Sequence, residues 1–211
     1  MQKTQERQQY GIERLVFFSD GVFAVAITLL IVNVIDTFPH LPSSATNEQL
    51  GDALLGLGPS FFSYTLSFYL VGICWVSHHQ MFRYIINHNT TLSWLNLTTL
   101  LFVVFLPFPT SLLREHYNST VIVAFYAATV TIIILCGMLL WEYATFHHRL
   151  IPPDLDEKTI RYIRWRGWIT LALFVISIGL AFLSPSLAEA SWLAIFLVRP
   201  LLLRQLAKKE S

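Results

Sequence analysis

Arg14-Leu-Val-Phe-Phe-Ser-Asp-Gly-Val-Phe-Ala-Val-Ala-Ile-Thr-Leu-Leu-Ile-Val32 is an almost unbroken apolar run, interrupted near its start by Ser19 and Asp20. About 20 residues at ~1.5 Å rise cross a ~30 Å hydrocarbon core, so the run reads as a transmembrane helix. Five further stretches read the same way. The expected spans are Glu13–Ile35, Leu54–Val76, Thr91–Leu113, Thr120–Ala144, Trp168–Leu183 and Leu187–Leu203, the last two being the shortest. Hydrophobic residues make up 55% of the 211 and charged residues 13%, where soluble domains carry about 25% charged. A water-facing surface cannot be made from that composition. The expectation is one all-α integral membrane domain over residues 1–211, with no soluble enzyme domain.

The connections are brief. Asp36–Asp52 holds Pro39, Pro42, Ser43 and Ser44, a loop composition with room for a short helix opening at Thr46. Residues 149–166 form the longest polar stretch, a cytoplasmic interhelical segment in which Pro152 and Pro153 stop one helix and Asp154 or Asp156 caps a short interfacial one. The polar amino terminus carries no cleavage signature after the first apolar run, so the first span is expected to be retained.

Lysine and arginine in short loops are held on the cytoplasmic side. With six spans, Lys3, Arg7, Arg14, Arg83, the five basic residues of 149–166, and Arg199, Arg204, Lys208 and Lys209 fall on one face, and Arg114 alone on the other. Both termini are therefore expected in the cytoplasm, with Asp36, Glu48, Asp52 and Glu189 outside. The net charge of +1 is scattered over membrane ends rather than pooled, which removes the case for nucleic acid.

Asp20 demands an explanation, because an intramembrane carboxylate is costly unless paired. The expectation is a position at the N-terminal end of the helix, where the dipole favours an anion, beside Arg14, Trp75, His78 or His79. At ~100° per residue, Phe18, Gly21, Val25, Thr28, Leu29 and Val32 share one side, and Ser19 and Asp20 point elsewhere. From periodicity alone that stripe reads first as packing against a neighbouring helix, and Gly21 and Ala24 suit close approach.

Arg14-x-x-x-Phe18-Ser19-Asp20, together with Trp75-x-x-His78-His79 and Leu106-Pro-Phe-Pro-Thr110, resembles the bacterial relatives of transmembrane protein 175, a family of endosomal and lysosomal potassium channels. The resemblance covers nearly the whole chain. It implies one six-span repeat per chain, a homotetramer in the cell (inner) membrane among lipids, first helices around a central pore, potassium as permeant ion, and no cofactor. Counted from the motif aspartate, it implies that Val25, Thr28, Leu29 and Val32 line the constriction, Val25 and Val32 standing where bulkier isoleucine or leucine is usual. Arg14, Phe18, Ser19, Asp20, Trp75, His78 and His79 carry the motifs and are expected to hold the pore helix rather than coordinate ions. A ring of apolar side chains can then gate by dewetting. No Thr-Val-Gly-Tyr-Gly filter and no periodic arginine voltage sensor occurs.

His78-His79 and His147-His148 suit a haem-binding redox protein, but both pairs read better as polar side chains reaching the interface, and no metal site is expected. Pro107 and Pro109, in the span that holds Asn96 and Thr110, suit the broken helix of a secondary ion transporter; a helix that ends at Leu106 reads better, and the chain lacks two related halves. The six tryptophans mostly flank spans as interfacial belts. Glu142 reads as a snorkelling interfacial residue, and Cys74 and Cys136 as packing in apolar runs. No nucleophile elbow, phosphate loop or zinc-protease helix is present, so no enzyme is expected.

Overall fold

The computed structural model describes residues 2–39, 41–116 and 118–195, with side chains from Arg7 onward. Its order is α1 (Gln2–Ile35), α2 (Asn47–Gly56), α3 (Gly58–Phe82), α4 (Thr90–Phe105), α5 (Pro107–Glu115), α6 (Thr120–Thr145), a 3-10 turn (Phe146–His148) and α7 (Glu157–Leu183), followed by a helical run over 185–195. No strand occurs among the described residues. Among the described residues five helices are long and apolar enough to cross a membrane, Arg7–Ile35, Gly58–Phe82, Thr90–Glu115, Thr120–His148 and Glu157–Leu183. Of the sixth expected span, residues 187–195 are helical, and the rest lies outside the described residues, as do Arg199, Arg204, Lys208 and Lys209.

Three helices exceed their apolar runs. α1 begins at Gln2 and α7 at Glu157, because the i→i−4 ladder does not stop where charge begins. The second half of the 149–166 segment is thus the opening of α7, and Asp156 caps that long helix, accepting from the Lys158 amide at 3.1 Å. α3 continues past Val76 to Phe82. Thr46 opens α2 with a complete capping box, its hydroxyl and the Gln49 side chain exchanging bonds with the two backbone amides.

The third span does not end at Leu106. Leu106 keeps right-handed helical backbone and α5 follows directly. Pro107 and Pro109 lack the amides that would bond the Val103 and Phe105 carbonyls, so the ladder breaks while the chain continues. The Leu106 amide turns to the Val103 carbonyl at 3.3 Å.

α6 packs most extensively on α7, and α1 lies against α3, α4 and α5. The core takes Phe23, Ala26 and Leu30 from α1, with Leu70, Tyr126 and Phe174 among those facing them. Lipid tails are as apolar as leucine, so close packing and interhelical hydrogen bonds hold such a bundle. Trp192 belongs to that core and Trp141 to a second cluster with Phe82, Leu92 and Ile160, at 0% and 1% exposure, rather than to a belt; the Trp192 indole N–H donates to Ser177 Oγ. Trp94, Trp165 and Trp168 are exposed at 66%, 55% and 50%, as a belt requires.

His147 and His148 have φ of 50° and 51°. Histidine is among the few residues other than glycine that tolerate this left-handed region. The pair reverses the chain after α6 and lets the Leu150 amide return to the Ala144 carbonyl at 3.0 Å. These two histidines do not face His78 and His79 from a helix.

Candidate functional site: the first helix and its anchors

α1 has two faces. Ser19, Phe23, Ala26, Leu30 and Val34 are buried, at 0%, 2%, 0%, 0% and 5% exposure. Opposite them, Phe18, Val25, Leu29 and Val32 are 53%, 53%, 42% and 43% exposed, and Arg14, Gly21, Ala24 and Thr28 are exposed too. Among the described residues no other helix of the protomer covers the stripe, and a Cβ on Gly21 would meet nothing within 4 Å. The Thr28 hydroxyl donates to the Val25 carbonyl at 2.9 Å, which spends its proton and leaves its oxygen lone pairs outward.

The buried face is tied down by a chain of side chains across three helices. Ser19 Oγ donates to the Leu15 carbonyl at 2.8 Å and accepts from Asn96 Nδ2 at 2.9 Å. Asn96 Oδ1 lies 2.7 Å from His78 Nε2. Since the Asn96 amide nitrogen is spent on Ser19, its oxygen must accept, and Nε2 carries the imidazole hydrogen. Ser19, His78 and Asn96 are 0%, 2% and 0% exposed. The His78 ring stacks on Phe82 at 4.4 Å and tilts against Phe23 at 5.5 Å.

Asp20 takes a different partner, accepting from the Trp75 indole at 2.8 Å. It does not sit at a helix start: α1 begins at Gln2, about five turns earlier, and the dipole term falls off within the first turn. The indole N–H replaces that account. His79 is exposed and its ring lies 5.8 Å from that of Trp75. Arg14 stays apart, with its guanidinium 5.8 Å from the Tyr10 ring centroid. His78 does not reach the interface; it is buried and bonded.

The other end of α1 has anchors that sequence reasoning missed. Asn33 Nδ2 donates to the Pro107 carbonyl at 3.0 Å. Arg114 of α5, its side chain 10% exposed, donates through Nη1 to the Asn33 carbonyl and to Thr37 Oγ1. A cation is thus set against the last carbonyls of α1, where the macrodipole is negative. At the break, the Thr110 hydroxyl lies 2.8 Å from the Leu106 carbonyl and 3.0 Å from Ser67 Oγ, itself 2.9 Å from Tyr126 Oη. Asn96 was legible only as an amide within an apolar span, and such a group needs a partner. Glu142 does not snorkel alone: Arg164 clasps it, Nη2 donating to Oε2 at 2.8 Å.

Several helices long and apolar enough to span a bilayer, one of them bare on a regular stripe yet fastened at both ends, mark a multi-pass membrane protein. Comparison with known proteins sharpens this. Residues 14–107 match the model of the family described as endosomal/lysosomal potassium channel TMEM175. A potassium channel of Streptomyces collinus is 35% identical over 84% of this chain and 86% of that one. The crystal structure of a lysosomal potassium-selective channel TMEM175 homologue from Chamaesiphon minutus superposes with a TM-score of 0.78 at 26% identity, covering 92% of this chain and 98% of that one. An endosomal/lysosomal proton channel TMEM175 of Gallus gallus is 28% identical over 85% of this chain, which spans 37% of its length. The chain belongs to the TMEM175 family of potassium channels. That family consists of ion channels, not enzymes, and its bacterial members point to the cell membrane.

Proposed function

We propose that this chain forms a homotetrameric potassium-selective channel in which four copies of α1 surround one axis and Val25, Thr28, Leu29 and Val32 narrow the pore. Each subunit contributes six spans as a single domain over 1–211, with both termini and residues 149–166 in the cytoplasm. One observation carries the reading: the face of α1 that the described residues of its own protomer leave bare is the face bearing those four residues. One pore helix per chain makes a closed ring necessary. Rings of valine and leucine strip water from a cation and close by dewetting, while Thr28 presents hydroxyl oxygens one turn beyond Val25. The Ser19–Asn96–His78 chain and the Asp20–Trp75 bond fix the rotation of α1, so the stripe keeps its aim. Conduction by this route invokes no cofactor.

The test is flux from proteoliposomes under potassium, sodium, caesium and proton gradients, for wild type and for Val25→Asn and Leu29→Asn. Proton flux is included because the animal relative is named a proton channel. Wild type should pass potassium faster than sodium, and the asparagine variants should pass both faster with less discrimination. Variants that leave rate and preference unchanged would remove the stripe from the pore.

A further inference from the structure

A cavity of about 80 Å³ lies inside the protomer among α3, α4, α6 and α7, away from the bare face of α1. Three residues of α3 line it, Cys74, His78 and Met81, and their i, i+4, i+7 spacing sets them on one helix face. Met138 lines it from α6. His78 Nδ1 is buried without a hydrogen-bond partner, an arrangement that is costly for a polar atom unless something fills the place of the missing partner.

The tautomer gives that atom its meaning. Asn96 holds the hydrogen on Nε2, so Nδ1 presents a lone pair, the arrangement in which a metal-ligating histidine donates its other N–H to an acceptor. Four donors on the cavity lining are soft: the imidazole nitrogen, the Cys74 thiol and the Met81 and Met138 thioethers. Among the described residues no three of His, Cys, Asp and Glu gather as a metal site, so a set for zinc is missing, and the oxygens that line the cavity are already engaged, the Ser77, Thr99 and Thr170 hydroxyls with carbonyls of their own helices and the Glu142 carboxylate with Arg164. Thioether and thiol sulfur select Cu(I)-like ions.

We infer that this cavity is a binding site for a soft monovalent d10 cation, Cu(I) or Ag(I), held by His78 Nδ1 with the sulfur atoms of Cys74, Met81 and Met138. Arg164 and Arg166 also line the cavity; Arg164 is neutralised by Glu142. The ion enters as the Cys74 thiol gives its proton to solvent, so cation plus thiolate adds no net charge beside Arg166. The site stands or falls apart from conduction, since the ion is a ligand here and not cargo.

The test is Ag(I) binding to the full chain in detergent and chloride-free buffer, with metal per chain counted by mass spectrometry after gel filtration and proton release followed by an indicator. One Ag(I) per chain and one proton released are expected. Met81→Leu/Met138→Leu, a volume-conserving change, should weaken binding at least about tenfold with the fold retained by circular dichroism, and Cys136→Ala should leave it intact. Substoichiometric binding to wild type, full affinity in the double leucine variant, or loss on Cys136→Ala alone would each overturn the site.

Discussion

Asn96→Leu is the most informative perturbation of the anchoring chain. The amide is fully buried and serves two partners on two other helices, Ser19 at 2.9 Å and His78 at 2.7 Å. Leucine has similar volume, so the change is chiefly one of hydrogen bonding. Ser19 keeps its bond to the Leu15 carbonyl and loses one incoming donor, a loss of about 0.6 kcal/mol by the average for buried side-chain bonds in membranes. His78 fares worse. An imidazole carries an N–H in either neutral tautomer, and without Asn96 neither nitrogen has an acceptor in the structure. An orphaned buried donor costs about 1–3 kcal/mol. Together the change should destabilise by about 2–4 kcal/mol, or roughly 4–16 °C of melting temperature on the scale of domains this size. The assay is thermal unfolding in detergent, followed by circular dichroism, beside Asn96→Leu/His78→Phe. Replacing both partners with apolar groups removes the orphan, and phenylalanine suits a position between Phe23 and Phe82, so the double variant should recover most of the loss. An Asn96→Leu protein within about 0.5 kcal/mol of wild type, or a double variant less stable than the single, would refute the reasoning.

The other expectations concern α1's far end and the largest helix interface. Arg114→Met removes the donor to the Asn33 carbonyl and Thr37 Oγ1; it should cost about 1–3 kcal/mol, whereas Glu115→Gln, whose side chain is half exposed, should cost under about 1 kcal/mol, both read by the same melts. Gly167→Ala places a Cβ 2.8 Å from Met138 Cγ and 3.1 Å from its Sδ, so it should loosen α6 from α7 by about 1–3 kcal/mol, and Gly167→Ala/Met138→Ala should regain part of that.

The stripe on α1 was legible because a face with i, i+3, i+4 spacing survives whatever packs behind it. Val25, Leu29 and Val32 needed no partner to be seen. Partners are another matter, since they come from elsewhere in the chain. Trp75 was one of four candidates for Asp20, and only the crossing of α1 and α3 selects it; Asn96 lies 77 residues from Ser19, and Pro107 is 74 from Asn33. Helix ends were misread where hydropathy and hydrogen bonding part company, at Gln2 and Glu157, and at Leu106, where two prolines interrupt the ladder without turning the chain. Trp141 and Trp192 were misread because a tryptophan near a span end suits a belt or a core equally until its neighbours are known.

Thiol accessibility at Leu29 bears most directly on the arrangement around a shared axis. Leu29→Cys and Leu101→Cys, built on a Cys74→Ala/Cys136→Ala background, would be reconstituted and exposed to a charged, water-soluble methanethiosulfonate during potassium flux. Both positions are bare in the protomer, at 42% and 64% exposure, but only the first belongs to the stripe. The account predicts block of flux through Leu29→Cys and none through Leu101→Cys. An unreactive Leu29→Cys in a conducting protein would place α1 against lipid and contradict it.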